Sequence, residues 1–507
     1  MNRGEAIGRL REGRRWDVLI IGGGATGLAA ALDAASRGYR TLLVERGDFA
    51  SGTSSRSTKL IHGGVRYLRQ GRLGLVRSAL LERTRLLRNA PGLVHPREFL
   101  PGDTALLIPR TSDGRVLFAI PWHGRVLLGT TDTEVKEIAR EPTPGATEVD
   151  YLLRHAARYL ARAPVHADVL SAFAGLRPLM KGGGGPLLNY APVTSLLKAG
   201  GRIAGAVLRD EETGETFEAG ARAVINATGV FSDELRRLDE AAAAPRLAPS
   251  QGAHLVLPRE FLPGDTALLI PRTSDGRVLF AIPWHGRVLL GTTDTEVKEI
   301  AREPTPGATE VDYLLRHAAR YLARAPVHAD VLSAFAGLRP LMKGGGGPTS
   351  ALSRDHVITV SPSGLVTIAG GKWTTARRMA EDVVTRAATL AGLPARPCRT
   401  AALPVPDPLP PRGAGAACDD ALLAAAVRIT MARTVEDVLA RRTRALHEDA
   451  RTAMTAAPRV AAFIAPLLGH DGAWQARQVA AFHALAARHL PSPAGRPHPP
   501  AAGQSPV

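Results

Sequence analysis

The residues best suited to chemistry come near the start of the chain. Gly22, Gly23, Gly24 and Gly27 lie between an apolar β-branched run, Val18 to Ile21, and a helical pattern from Ala25 to Ser36. Gly38 stops that helix, and Thr41 to Val44 reads as a second strand. In such a βαβ unit Gly22 makes the turn, Gly24 lets backbone approach a pyrophosphate, and Gly27 allows close helix packing. The helix N-terminus offers N–H groups and partial positive charge to phosphates. Glu45 ends the second strand 18 residues after Gly27, where a carboxylate can accept from ribose hydroxyls. The alternative is a glycine-rich turn in an ordinary α/β protein. Strand, helix, spacing and carboxylate together point to a dinucleotide. The next segment reads SGTSSRSTKLIHGGVRYL from Ser51 to Leu68. Its hydroxyls at Thr53, Ser54, Ser55, Ser57 and Thr58 suit phosphates and a ring system; the plainer reading is a solvated loop with an N-cap. Ala223 to Asn226 forms a strand that enters Ala227-Thr228-Gly229, an arrangement that suits a second backbone segment reaching a dinucleotide.

The elements that must position these residues follow the same patterns. Val76 to Asn89 predicts an amphipathic helix with Val76, Ala79, Leu80, Leu86 and Leu87 inward. Short strands are expected at Asn189 to Leu197, Ile203 to Arg209, Thr216 to Ala219 and Ala223 to Asn226. Thr266 to Pro271, Arg277 to Pro283 and Val288 to Thr292 read as an antiparallel meander with turns at Asp275-Gly276 and His285-Gly286. Val311 to Leu322 predicts a helix. Two strands flank Ser361 to Gly364 and lead to Gly370-Gly371-Lys372-Trp373-Thr374-Thr375 and another helix. Pro404 to Ala416 reads as a linker, Asp419 to His489 as helical, and Pro491 to Val507 as a disordered tail.

Composition bounds the function. The chain has 507 residues, 45% apolar and 22% charged, which argues for a multi-domain globular protein. Two cysteines, Cys398 and Cys418, form no CxxC pair; a reducing compartment fits, and no metal is expected. No apolar run approaches the ~18 residues of a membrane span. Met1 to Asp17 is Arg-rich without an apolar core, so no secretory signal is expected. The net charge of +17 would suit nucleic acid or a membrane surface. With 57 arginines against 7 lysines spread along the chain, a compositional bias toward arginine explains it better.

One feature is anomalous. Residues Pro96 to Pro186 recur without change as Pro258 to Pro348, 91 residues offset by 162. Identity at exposed positions implies a very recent duplication or an error in assembling the gene, not a solenoid.

GGGATG with Glu45, TSSRSTKLIHGGVRYL, INATG, QGAHLVLP, IPWHGRVLLGTTD, GLRPL, SRDH and GGKWTTARRMAED together resemble the FAD-dependent respiratory glycerol-3-phosphate dehydrogenases. The resemblance runs over 16–95 and from 187 to about 395. The MARTVEDVLARRTR stretch is similar to that family's C-terminal domain. It implies an α/β, Rossmann-like FAD-binding fold of the D-amino-acid-oxidase type, an antiparallel substrate domain and a helical C-terminal domain. The boundaries expected are 1–95, 187–253 and 349–403 for the FAD domain, 254–348 for the substrate meander, 404–490 for the helical domain and 491–507 for the tail. The segment 96–186 is the anomalous duplicate.

The implied activity is oxidation of sn-glycerol 3-phosphate to dihydroxyacetone phosphate, with electrons passed to quinone. A cytoplasmic protein, peripheral on the inner membrane's cytoplasmic face, is implied, a homodimer is entertained, and no nucleic acid is expected. Carried over by motif, Arg66 and Tyr67 would line the substrate pocket, and Arg339 and Arg354 would hold phosphate. His254 would be the base, and Lys372 would sit by flavin and substrate; His254, Lys372 and Arg339 form the catalytic set. Without the motif, His254 reads as a satisfied sheet histidine. FAD contacts are implied for Gly22, Gly24, Ala25, Thr26, Gly27, Glu45, Arg46, Thr53, Ser54, Ser57, Lys59, Leu60, His62, Gly63 and Gly64. They continue at Ala227, Thr228, Gly229, Gly370, Gly371, Lys372, Thr374 and Thr375. The rivals are a flavin oxidase using oxygen, an amine-oxidising relative, and a flavin-binding chain inactivated by the duplication. The second copy has the family's flanks on both sides and is expected to hold the native place. The first copy has no counterpart of His254, Arg354 or Lys372, so no second site is expected there, and its sheet pairing is expected to be loose.

Overall fold

α1 (Arg3–Arg11) precedes β1 (Trp16–Ile21), a strand buried at every position but Asp17. In the computed structural model, which describes residues 3–61, 73–90, 93–94, 106–108, 117–122, 125–129, 146–157, 164–169, 185–270, 273–275, 277–343, 355–405 and 419–491, α2 (Ala25–Ser36) begins directly after the glycines. β2 (Thr41–Val44) returns parallel to β1, with Val18 opposite Thr41 and Ile21 opposite Val44. α3 (Leu73–Asn89) corrects the expected inward face. Val76 and Ala79 are buried, but Leu80, Leu86 and Leu87 are only half-buried. Glu82 takes an interior position because the Arg377 guanidinium grips both its oxygens at 2.7 and 2.9 Å.

The chain divides into two units, Met1–Asn89 with Gly182–Leu403 and Asp407–Val507, and Ala90–Lys181 with Pro404–Pro406. The second unit contains most of the first repeat copy. There β3 (Leu106–Ile108), β4 (Leu117–Trp122) and β5 (Arg125–Gly129) make a three-stranded antiparallel sheet, followed by α4 (Ala146–Ala156).

The first unit resumes with β6 (Leu187–Leu188), β7 (Val193–Ala199), β8 (Arg202–Arg209), β9 (Thr216–Asn226) and α5 (Ser232–Asp239). Two expectations are corrected. Asn189 to Leu197 is not one strand: Tyr190 has φ +54°, and Pro192 has no N–H for a ladder, so β6 and β7 are separate. Thr216 to Asn226 is one strand rather than two, because its first half pairs with β8 and its second half with β1.

β10 (Leu247–Pro258), β11 (Leu268–Ile270), β12 (Leu279–Trp284), β13 (Arg287–Gly291), β14 (Thr295–Glu296) and β15 (Ser333–Met342) form the second sheet, backed by α6 (Ala308–Ala318). β11 and β12 are shorter than their sequence runs, β13 keeps its length but starts one residue earlier, and α6 starts earlier than expected because Glu310 reaches back to the Gly307 N–H at 3.1 Å. Local registers in the two copies are the same: Leu268 faces Ala281 as Leu106 faces Ala119, and Phe280 faces Gly291 as Phe118 faces Gly129. What differs is the neighbour. β13 pairs with β10 from His254–Gly291 to Pro258–Arg287, whereas β5 is an edge of its three-stranded sheet.

β16 (His356–Val360) and β17 (Val366–Gly370) complete the first sheet, whose order is β16-β17-β9-β1-β2-β6, with β7 and β8 continuing from β9. β1, β2, β9 and β17 run parallel. Alternation sends Val18 and Ile20 to a core with α2 and α7 (Ala376–Leu390), and Leu19 and Ile21 to a core with α1. α8 (Asp420–Arg428), a π-helical turn Asp437–Arg442, α9 (Ala445–Glu448), α10 (Ala450–Leu468) and α11 (Gly472–Ala487) enclose a separate apolar cluster. Among the described residues no helix is long and apolar enough to cross a membrane.

Candidate active site

The glycines after β1 make a cradle that only they can make. Gly22 has φ +110°, and a Cβ there would lie 2.7 Å from Ala227 O. A Cβ on Gly27 would collide with Gly22 O, so α2 can start this close to the strand only through that glycine. Glu45 at the end of β2 accepts from Gly23 N at 2.6 Å and from Gly47 N at 3.0 Å. Its carboxylate therefore stands at the mouth of the turn. Ala227 N donates to Ile21 O at 2.8 Å, which seats the Ala227-Thr228-Gly229 turn beside the same strand end. Asn226 organises this turn by accepting from the Thr228 hydroxyl at 2.7 Å and donating to Ser232 O at 2.9 Å. Arg46 lies outside it, stacked 3.8 Å over the Phe231 ring.

The hydroxyl-rich loop runs from this cradle to the second sheet. Ser54 Oγ accepts from Ala25 N at 2.9 Å, at the first turn of α2. Thr53 donates to Leu338 O on β15 at 2.5 Å. Gly337 is required there, since a Cβ would run into Arg56 O. Arg56 is anchored on Glu303 at 2.5 Å. Lys59 has φ +58° and donates to Ser55 O. Burial holds its ammonium well below the usual lysine range, and Arg444 and Arg56 add to the shift. Ser57 accepts from Lys59 N at 3.4 Å, and Leu60 packs against the Phe335 cluster. Thr58 ends the path: its hydroxyl is 2.9 Å from His254 Nε2.

His254 lies on β10 between Gly291 of β13 and Phe335 of β15. Its ring stacks on Phe335 with centroids 5.0 Å apart, and a Cβ on Gly291 would strike its Cδ2 edge. Burial, then the charges of Arg339 and Lys59, hold the imidazole well below its ordinary range. Both influences favour the neutral imidazole over the imidazolium. Ser250, Gly252 and His254 share one face of β10, and Arg339 reaches over that face from β15. The guanidinium donates to Thr292 Oγ1 at 2.9 Å, Thr293 O at 2.8 Å and Gln251 O at 3.2 Å, with Asp294 at 3.5 Å. Behind it the buried Glu310 accepts from Thr293, Thr295 and Gln251 at 2.6, 2.8 and 2.7 Å.

The family profile for FAD dependent oxidoreductases matches residues 17–101, 93–189 and 180–377. The chain belongs to that family. The family's fold expected from sequence is thus the one present. A second profile, the C-terminal domain of alpha-glycerophosphate oxidase, matches 419–475. Mitochondrial glycerol-3-phosphate dehydrogenase of Rattus norvegicus is 40% identical over 411 residues, covering 78% of this chain and 56% of the relative. The chain thus spans little more than half of that relative's length. The mitochondrial glycerol-3-phosphate dehydrogenase of Saccharomyces cerevisiae is 37% identical over 450 residues, 79% of this chain and 68% of the relative. The glycerol-3-phosphate dehydrogenase of Bacillus halodurans complexed with FAD superposes with TM-score 0.65 at 25% identity, covering 96% and 98% of the two chains.

FAD is the cofactor of this FAD dependent oxidoreductase, and the cradle fits it. Gly22 and Gly27 let the Ala227 turn and α2 pack directly against the end of β1, the α2 N-terminus faces the same turn, and Glu45 stands beside it. Of the residues expected from sequence, Gly22, Gly24, Ala25, Thr26, Gly27, Glu45, Ser54 and Ala227 to Gly229 gather at the cradle, and Lys59, His254 and Arg339 at the second sheet. Gly370, the last residue of β17 and opposite His356 of β16, and Gly371 after it both have positive φ, near 78° and 77°. Lys372, half-buried, then heads a turn in which its carbonyl accepts from Thr375 N at 3.0 Å, with Thr374 and Thr375 buried. His62, Gly63, Gly64, Arg66, Tyr67 and Arg354 lie outside the described residues. Sequence reasoning took Thr58 for a phosphate or ring contact, whereas here it partners His254. It missed Phe335, Glu310 and two buried histidines: His447 meets Phe335 edge-on at 4.7 Å, and His489 meets His447 edge-on at 5.5 Å. A lone histidine in a helical segment carries no signal for this.

Proposed function

We propose that this chain oxidises sn-glycerol 3-phosphate to dihydroxyacetone phosphate, with the electrons passing on to a quinone. The observation that carries the reading is the junction at Thr58. The loop that closes the FAD cradle through Ser54 ends on His254, a neutral buried imidazole on the same sheet face as Arg339. FAD, when bound, supplies the acceptor for the hydrogen and electron pair leaving C2. His254 accepts the C2 hydroxyl proton, with Thr58 holding its ring. Arg339 supplies positive charge to the face where a phosphate dianion would lie, its orientation fixed by Thr292 and Thr293. Lys372 is kept as a flavin-side cation. Arg66, Tyr67 and Arg354 are proposed as substrate contacts from their motifs alone. The relatives' names support the substrate, and a quinone acceptor implies peripheral attachment to the cytoplasmic face of the inner membrane, with a homodimer as the assembly to look for.

The name of the C-terminal profile favours oxygen as a second acceptor. Turnover of sn-glycerol 3-phosphate by the purified chain, followed with a soluble quinone and separately with oxygen, decides between them. Quinone reduction without peroxide is expected. Stoichiometric peroxide would move the chain to the oxidases, and no turnover with either acceptor would defeat the proposal.

A further inference from the structure

Asp48 lies three residues beyond Glu45, with its carboxylate fully buried. The loop that carries it is one hydrogen-bonded body with the glycine turn. Glu45 bridges Gly23 N and Gly47 N at 2.6 and 3.0 Å, and Ala50 N donates to Gly23 O at 2.9 Å. A buried carboxylate needs cations and donors to repay its lost hydration. Both come from the C-terminal helices. Arg441 Nε and Arg442 Nη1 converge on Asp48 Oδ2, and Arg442 Nη2 reaches Oδ1 at 2.8 Å. The two arginines sit on the π-helical turn Asp437–Arg442, and such turns concentrate at functional positions. Arg441 is fixed from behind by Glu436 at 2.6 Å and Asp437 at 2.5 Å, and Arg442 by Thr430 O at 2.6 Å. A second tie runs in parallel: Tyr190 N donates to Gly47 O at 2.9 Å while its hydroxyl donates to Asp437 at 2.7 Å.

We propose that Asp48, Arg441 and Arg442 are positioning residues for the dinucleotide. Through them the C-terminal helices hold the Glu45 loop against the glycine turn and set the affinity for the adenosine half of FAD. The inference rests on the FAD reading of the cradle. It differs from simple domain docking, for which Arg433 provides the comparison. Arg433 grips Glu212 at 2.6 and 2.7 Å from the same C-terminal segment without touching Asp48.

The test uses full-length protein stripped of flavin, titrated with FAD and separately with ADP, alongside thermal unfolding of the flavin-free form. Arg442→Lys and Arg441→Lys keep the charge and lose the fork. Each is expected to weaken FAD and ADP in parallel by about tenfold, the equivalent of one lost charge-assisted hydrogen bond. Arg433→Ala is expected to lower the melting temperature while both affinities stay unchanged. Asp48→Asn should follow the lysine variants; if it does not fold, they carry the test alone. Unchanged FAD and ADP affinity in Arg442→Lys, or an equal loss in Arg433→Ala, would overturn the proposal. Absence of FAD binding by the unsubstituted chain would instead overturn the cofactor reading, and this inference with it.

Discussion

His254 has one orientation because Gly291, Phe335 and Thr58 close three sides of its ring. If it is the base, His254→Asn should lower kcat by about two orders of magnitude or more while FAD binding persists. Gly291→Ala should do nearly as much without removing any functional group, since the new Cβ must displace the imidazole. Steady-state kinetics with a flavin titration check both, and a Gly291→Ala enzyme with normal kcat would contradict the geometry. A separate prediction concerns His489. Burial, with Arg56 and Arg488 nearby, pushes it down to about 3, against about 6.5 in an unfolded chain. Between those values the unfolded state binds more protons, so stability falls as pH drops below about 6.5. Urea unfolding at pH 7.5 and 5.0 should show that loss, and it should be smaller in His489→Phe.

At the level of elements, the glycine turn is the least replaceable part. Gly27→Ala should abolish FAD retention, because its Cβ collides with the backbone carbonyl of Gly22 and cannot be relieved by a side-chain rotation. Retention of stoichiometric FAD by that variant would show that α2 can move off β1. The βαβ unit was legible in sequence because turn, strand and helix are local demands on neighbouring residues. The break before β7 comes from the left-handed Tyr190 and from Pro192, whereas β9 was misjudged because its limits depend on partners: it continues through Gly220 and Ala221 only because β8 takes one half and β1 the other. The buried Glu82 escaped notice because its partner Arg377 is 295 residues away. The Asp48 clamp spans 393 residues to Arg441 and was equally hidden, though Arg441 stood inside the MARTVEDVLARRTR stretch. His254 and Arg339 were found through their motifs, while Thr58 needed the path of the loop.

At the scale of the whole chain, the repeat separates local from non-local information. The same 91 residues give the same strand registers twice, yet β13 gains β10 as a neighbour and β5 remains an edge. Amide exchange should therefore protect 287–291 more strongly than 125–129, and equal strong protection would refute the assignment of the second copy to the native place. The central claim is that the FAD cradle and the His254 face act on one substrate despite this duplication. Its most direct test is the flavin spectrum of the purified chain without oxygen, before and after sn-glycerol 3-phosphate is added. Loss of the oxidised flavin band is expected. A flavin that binds and stays oxidised would contradict the claim, leaving an intact cradle beside a substrate face that does not work.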